Sequence, residues 1–250
     1  MKKQSQGGFS LAELMVALVV GLILSGSVLA FTMSSFKSNS DYVRSTRLTQ
    51  ELRNSMDLVT RELRRAGYDQ DALKYLARGV GSPFSRMFFG AANADGSFSC
   101  VIYAYDREGG TSGTIEQANK EVRAIRWAQR NVGNRSNIGV LEYAESWNGG
   151  QPTCGGAAPD YSTNPASCSA GGWCPMSDGT VVDITRFALT DHRSLVGTAP
   201  QQVQLRDVDV AIVGQLAGST EFTRGMQSSV RIRSECYDVQ MSNCSVAPAP

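Results

Sequence analysis

Six cysteines are the most reactive side chains of this 250-residue chain. No two of them form the C-x-x-C pair that is typical of structural zinc sites. An even set without such a pair is typical of disulfides in a protein that folds outside the cytosol. The six residues are Cys100, Cys154, Cys168, Cys174, Cys236 and Cys244. We therefore predict three disulfides and no metal site.

The single histidine, His192, argues against an enzyme. One histidine cannot build a multi-histidine metal centre, and no G-x-S-x-G segment supplies a serine nucleophile for it. The acidic segments lack the spacing of a calcium loop, and no glycine-rich stretch continues as the G-K-[ST] of a phosphate-binding loop. The sequence predicts no enzymatic activity and no cofactor, and it places His192 in a surface loop that follows a strand.

The charge balance limits which classes of partner the sequence predicts. A net charge of +1 with 42% hydrophobic residues indicates a folded chain without a polyanionic partner. Eight basic residues between positions 37 and 74 face six acidic ones, which leaves only +2 there. Arg53, Asp57 and Arg61 are spaced i,i+4, as on a solvated or inter-helix face. We therefore do not expect nucleic acid as a partner.

Glu13 immediately precedes a 23-residue stretch without charge, residues 14–36. That stretch is long enough to cross a bilayer, where an unpaired carboxylate is costly. Gly8 precedes Phe9, and a cut between them would create an ammonium group four residues before Glu13. The spacing indicates that Glu13 is functional and that its cation is a new N-terminus.

Two simpler interpretations of this segment stay open. Lys2 and Lys3, with small residues near position 30, also fit a secretory signal peptide that is cut before Phe31. The segment also fits a plain single-pass anchor. The Lys and Arg count does not fix its orientation, whereas the predicted disulfides place the C-terminal part outside. Neither interpretation accounts for Glu13.

The elements that must position these residues begin with a long helix. Its later part carries one apolar stripe with steps of 4, 4, 3 and 4, formed by Leu48, Leu52, Met56, Val59 and Leu63. Gly67, after two arginines, is typical of a helix end. We predict one helix over residues 9–66, membrane-embedded over 9–36 and amphipathic over 37–66.

Beyond Tyr68 the pattern favours strands separated by glycine-rich or polar turns. Residues 100–105 alternate as in a sheet that is buried on both faces. The predicted strands are 100–105, 122–129, 138–144, 181–189, 208–213 and 228–237. Only the inner face of such a sheet is large enough to cover the helical stripe. We therefore predict an α+β fold, a long helix packed on an antiparallel β-sheet within a domain over 67–250.

Residues 147–180 differ in composition, with seven Gly, four Pro, three Cys and two charges. A loop of this length is uncommon in a compact domain unless it is functional or tethered, and its cysteines provide tethers. We predict a stapled insertion; the alternative is a contact surface around Trp147, Tyr161 and Trp173. The sequence does not choose among the disulfide pairings, although Cys236 and Cys244 flank a short terminal segment and form the favoured pair.

Residues 8–14, GFSLAEL, resemble the prepilin processing motif of the type IV pilin and pseudopilin family, with Ala12 where the family usually has a larger aliphatic residue or proline. The resemblance implies that a membrane peptidase cuts after Gly8 and methylates Phe9, and that Glu13 acts in assembly. Residues 61–68 and 229–233 are similar to segments of PilW-type minor pilins.

These resemblances imply a type IV pilin fold and the role of a PilW-like minor pilin that primes and builds a type IV pilus. Residues 1–8 would be the leader. The implied partners are prepilin peptidase, other major and minor pilins, the inner-membrane assembly platform and inner-membrane lipid. The expected location is the inner membrane, with the C-terminal domain in the periplasm, and later the pilus at the cell surface. A minor pseudopilin of type II secretion and a pilus-tip adhesin or DNA-binding module are the alternatives.

Overall fold

The computed structural model describes residues 8, 10–77, 81–107, 114–163, 165–198, 202–232 and 236–237. By their internal contacts the residues fall into two units, 1–46 and 47–250. The predicted mature terminus Phe9 and the predicted disulfide partner Cys244 lie outside the described residues.

A single helix, α1, spans Leu11–Arg65, close to the predicted 9–66. It ends where Gly67 adopts a φ of 80°, a left-handed conformation that glycine enters at little steric cost. The Gly67 N–H donates to the carbonyl oxygen of Ala104 at 2.8 Å. The helix end is therefore fixed both by local geometry and by a hydrogen bond to a strand.

Two antiparallel sheets and one short helix follow α1. The helix α2 spans Ala72–Ala77, and short 3-10 turns lie at Pro83–Ser85 and Gln117–Asn119. Sheet 1 has the order β1-β2-β3-β4-β5, with strands at Met87–Phe89, Cys100–Ala104, Val122–Val132, Arg135–Glu145 and Trp173–Pro175. Sheet 2 has the order β6-β7-β8, with strands at Val182–Val196, Val203–Leu216 and Thr223–Arg231, and β9 (Cys236–Tyr237) also pairs with β7.

Sheet 1 is buried on both faces, as the alternation in residues 100–105 predicted. Val101 and Tyr103 join a core shared with the α1 stripe, whereas Ile102 and Ala104 join a second cluster around Trp173. Every residue of the predicted stripe is buried: Leu48, Leu52, Met56, Val59 and Leu63. Because a fully buried aliphatic side chain contributes about 1.5–3 kcal/mol, this stripe is a main source of the domain's stability.

Sheet 2 turns its inner face to the same core. Buried residues alternate along β7, where Val208, Val210 and Ile212 belong to the shared cluster. Gly214 continues this face, and a Cβ there would lie 2.9 Å from Cδ2 of Leu52 on α1. The helix and β7 therefore lie so close at this point that a side chain at position 214 would have to displace Leu52.

The two sheets are joined along β6. Phe98 and Leu189 exchange two backbone hydrogen bonds of 2.8 Å, and the indole Nε1 of Trp127 donates to the carbonyl of Ile184 at 2.6 Å. A Cβ at Gly139 would lie 2.0 Å from that carbonyl oxygen, so a side chain there cannot fit without moving backbone. The junction thus depends on specific polar contacts as well as on burial.

The structure corrects several details of the sequence interpretation. The strands form two sheets instead of one, and β6 and β7 extend beyond the predicted 181–189 and 208–213. The predicted strand 228–237 is divided into β8 and β9. His192 lies within β6 and not in the predicted loop. The prediction was wrong because the C-terminal end of β6 is polar and has no apolar alternation that would indicate a strand. The short elements α2, β1 and β5 were not predicted, and β5 lies inside the predicted loop 147–180.

Candidate processing and assembly site

The start of α1 is a reciprocal cap formed by Ser10 and Glu13. The hydroxyl oxygen of Ser10 accepts from the N–H of Ala12 at 3.3 Å, and the Glu13 carboxylate accepts from the N–H of Ser10 at 2.9 Å. A serine followed three residues later by glutamate is the pattern of a capping box, in which side chains satisfy orphan N–H groups of the first turn. The carboxylate is therefore held by its own helix terminus.

The segment that follows is apolar and exposed. The most apolar 18-residue window of α1 has a mean hydropathy of 2.6, and none of it is buried. Its hydroxyl groups donate to helix carbonyls three or four residues earlier, in the pairs Ser27–Leu24, Thr32–Val28 and Ser35–Phe31. Polar groups satisfied within one helix are compatible with a lipid environment, where water cannot supply partners.

Two family models match this chain. One, described as a prokaryotic N-terminal methylation motif, matches residues 3–29. The other, described as prepilin peptidase-dependent protein B, matches residues 41–232, which is more than half of the chain. The chain belongs to the prepilin peptidase-dependent protein B family. Among curated proteins and solved structures, none matches it.

Membership in this family confirms the resemblance to type IV pilins and the α+β fold of a long helix on antiparallel sheets. The matched methylation motif and the apolar helix indicate anchoring of this prepilin peptidase-dependent protein through its N-terminus. Gly8 is exposed. Cleavage after Gly8, methylation of Phe9 and the similarity to PilW-type pilins stay predictions.

The cysteines form disulfides. Cys100 pairs with Cys154, and Cys168 pairs with Cys174. Cys236 is disulfide-bonded as well, to a partner outside the described residues, so the favoured pair Cys236–Cys244 stays a prediction. The described part of the chain contains no free cysteine. Such a set agrees with a domain that folds in an oxidising compartment.

A buried ionic cluster holds the loop that the sequence marked as unusual. The Glu142 side chain, which is 0% exposed, accepts from Nε of Arg126 at 2.6 Å and from Nε of Arg130 at 2.7 Å. The phenol of Tyr161, in the loop, donates to the same carboxylate at 3.2 Å. Nη1 of Arg126 donates to the loop carbonyls of Cys154 at 2.9 Å and Gly156 at 2.8 Å.

The electrostatics of the cluster follow from burial and pairing. Burial lowers the pKa of Arg126, against the opposing effect of Glu142, whereas the hydrogen bond to Glu142 raises the pKa of Arg130. Burial and the nearby carboxylate raise the pKa of Tyr161, which keeps the phenol neutral as a donor. Two guanidinium groups share one carboxylate, so the loop carbonyls and the face of the Trp173 ring, 3.8 Å from Arg126 Cζ, stabilise the remaining positive charge.

The aromatic residues of the loop serve different purposes. Trp173 and Tyr161 are buried, at 0% and 7% exposure, whereas Trp147 is 38% exposed. Two of the three members of the alternative contact surface are therefore part of the domain interior. A groove of about 590 Å³ is lined mostly by residues of the loop itself, among them Tyr161 and Met176, together with Val132 and Tyr143 of sheet 1.

His192 does not form a catalytic arrangement. Its Nε2 lies 3.0 Å from the Asp209 carboxylate on the exposed face of sheet 2. The hydroxyl of Ser229 donates to Asp209 and lowers its pKa, and His192 adds to that effect. In a hydrolytic triad the histidine stands between serine and carboxylate, whereas here the carboxylate does. Among the described residues no group of three or more His, Cys, Asp or Glu side chains could hold a metal ion.

The sequence analysis missed Arg126, Arg130 and Glu142 as a group. Arg126 and Glu142 are charged residues inside strands that were predicted from their apolar neighbours, and buried charges are rare unless they are paired. Arg130 lies one residue beyond the predicted strand 122–129. A charged residue within a strand that is otherwise apolar was the available signal. It could indicate that the charges have partners, but it could not identify them, because the partners meet only through sheet pairing and loop docking.

Proposed function

We propose that this protein is a minor pilin, a structural and priming subunit of a type IV pilus, of the PilW-like kind. In this proposal it is cut after Gly8, methylated at Phe9 and held in the inner membrane by residues 9–36, with the disulfide-bonded domain in the periplasm. It is then extracted into the filament or its initiating complex. The observation that carries the proposal is the prepilin motif joined to a helix whose later half forms the core of the domain.

Glu13 supplies the mechanism of assembly. In the lone subunit its carboxylate binds the Ser10 N–H, so membrane insertion requires no second chain. Assembly moves this carboxylate out of the headgroup region and packs it among other apolar helices. An ionised group without a cation is costly in that apolar environment. The N-terminal α-ammonium of a neighbouring pilin, equivalent to that of Phe9, supplies the cation. The pair forms only when the two helices have the correct axial register.

The mature N-terminus tests the proposal. Mass spectrometry of protein purified from membranes is expected to show a chain that begins at Phe9, with the mass of one added methyl group. Loss of residues 1–8 also removes Lys2 and Lys3. A chain that begins at Phe31 would establish the signal peptide instead, and an uncut chain would establish the plain anchor.

A second measurement separates the proposed pilus role from type II secretion. The gene is deleted, and pilus number and secreted proteins are both quantified. We expect loss of surface pili with normal secretion. Normal piliation with a secretion defect would identify a minor pseudopilin.

A further inference from the structure

Arg126 lies beside both described disulfides of the loop. Cys100, Arg126 and Glu142 lie in one row across β2, β3 and β4, each directly opposite the next. Residues opposite each other in antiparallel strands project from the same face and lie within side-chain reach. The Arg126 guanidinium is therefore fixed beside Cys100 by the sheet and oriented by Glu142.

The same guanidinium holds the segment that contains Cys154. Its donors bind the carbonyl oxygens of Cys154, Gly156 and Ala157 at 2.9, 2.8 and 3.5 Å. A turn closed by the Gly156 N–H to the Thr153 carbonyl, 3.0 Å, presents these oxygens side by side. None of these contacts involves a sulfur atom, so all of them are available in the reduced chain.

The other side of Arg126 contacts the second disulfide loop. Its Cζ lies 3.8 Å from the centre of the Trp173 ring, and Trp173 precedes Cys174, which is bonded to Cys168. A Cβ at Gly156 would lie 2.6 Å from Nε1 of Trp173, so the turn and the ring fit together only with glycine at that position. Arg126 thus sets where Cys154 and Cys174 lie relative to Cys100.

Chain entropy does not select the observed pair. The Cys100–Cys154 disulfide spans 54 residues. Cys168 and Cys174 follow Cys154 within about 20 residues, and a loop must double in length before closure costs about 0.6 kcal/mol more. Chain length therefore separates these three partners of Cys100 by only a few tenths of a kcal/mol, and a contact that places Cys154 beside Cys100 can decide among them.

We propose that Arg126, oriented by Glu142, is a positioning residue that docks residues 153–157 on sheet 1 before oxidation and thereby selects Cys154 as the partner of Cys100. Bond formation is ordinary thiol–disulfide exchange. The two thiols lose two electrons and two protons to a disulfide oxidant, which is released as two thiols.

Oxidative refolding of the full chain in detergent tests the selection. Reduced, denatured protein is refolded with reduced and oxidised glutathione, all species are trapped by alkylation, folded or not, and their disulfides are mapped. The variant R126K keeps a charge near Glu142 but lacks the planar fork that binds several carbonyls. We expect the Cys100–Cys154 fraction among oxidised molecules to fall toward the statistical value of roughly one in five.

The matched control is R130K. Arg130 also binds Glu142, yet none of its observed hydrogen bonds reaches a loop carbonyl, so native pairing is expected to persist even if the yield falls. Native pairing in R126K at the wild-type fraction would overturn the proposal, because a purely structural role changes yield and not partner choice.

A second experiment asks whether docking precedes the bond. In the double variant C100S/C154S of the full chain, Tyr161 is expected to stay buried and resistant to chymotrypsin. Adding R126K is expected to accelerate cleavage after Tyr161 at least tenfold. Equal cleavage rates in the two proteins would show that the disulfide holds the loop and that Arg126 does not.

Discussion

Glu13 illustrates how one carboxylate can perform two tasks at the residue scale. It caps the first turn of α1 through the Ser10 N–H, and in the proposed assembly it also binds a neighbour's ammonium. Glutamine can perform the first task, since it serves in capping boxes as glutamate does, but it cannot supply charge. The two tasks are therefore separable by substitution.

We predict that E13A and E13Q are both cut after Gly8 and inserted in the membrane, because the junction and the apolar segment are unchanged. Both are expected to be depleted about tenfold or more from purified pili, since a loss of about 1.4 kcal/mol already corresponds to a tenfold change in binding. Immunoblots of membranes and filaments measure the two quantities. Wild-type incorporation of E13Q together with depletion of E13A would show that the helix cap matters and the charge does not.

Asp95 provides a pH-dependent contact between the segment before β2 and sheet 2. Hydrogen bonds from the Ser97 hydroxyl and N–H, followed by the contact with Arg186, lower its pKa to about 2. A carboxylate whose pKa is depressed on folding stabilises the protein above its unfolded pKa, about 4, and that contribution is lost as pH falls through about 2.

We predict that D95N lowers the unfolding temperature of the full chain at pH 5 and that its difference from the wild type shrinks steadily toward pH 2. Thermal unfolding at several pH values measures this difference. R186Q is the control that removes one of the causes, and it is expected to show a smaller effect with the same direction. A difference that is constant between pH 5 and pH 2 would contradict the role of the carboxylate charge.

At the scale of elements, the contact between α1 and β7 depends on Gly214. We predict that G214V destabilises the domain by about 1–3 kcal/mol, or roughly 2–12 °C in unfolding temperature, because its methyl groups overfill the contact with Leu52. G225V on β8 is the matched control, since its Cβ would meet Val213 at an ordinary 3.6 Å. Equal losses in the two variants would indicate a general intolerance of β-branched residues and not a specific close approach.

The elements that could be predicted are those whose signal is local. The apolar stripe, Gly67 and the alternation of residues 100–105 each report their own environment, and all three were confirmed. The strand β5 could not be predicted, because three residues in a glycine- and cysteine-rich segment become a strand only by pairing with β4. Segments whose conformation depends on a distant partner lack such a signal.

The same distinction applies to the candidate sites across the whole molecule. Gly8, Phe9 and Glu13 lie within one six-residue segment. Their spacing alone therefore suggested a new N-terminus as the cation for Glu13, and the resemblance of this segment to the prepilin motif implied cleavage and methylation. Arg126, Glu142 and Cys154 come from two strands and a loop, and only the completed fold brings them together. The loop cluster was therefore beyond sequence reasoning even though each member was visible.

The position of the cysteines has a mechanical consequence. All six follow residue 99, so no covalent cross-link can fasten α1 to either sheet. Tension applied through the helix is resisted by the apolar stripe from Leu48 to Leu63, by the Gly67–Ala104 hydrogen bond and by weak polar contacts such as Glu62 with Arg123 at 3.6 Å. Ala104 and Arg123 both lie within the loop closed by Cys100–Cys154, so this disulfide cross-links the part of sheet 1 against which α1 packs. We therefore expect a subunit pulled by its helix to yield first at the contact between α1 and the sheets, because no covalent bond holds that contact, while residues 100–154 stay cross-linked.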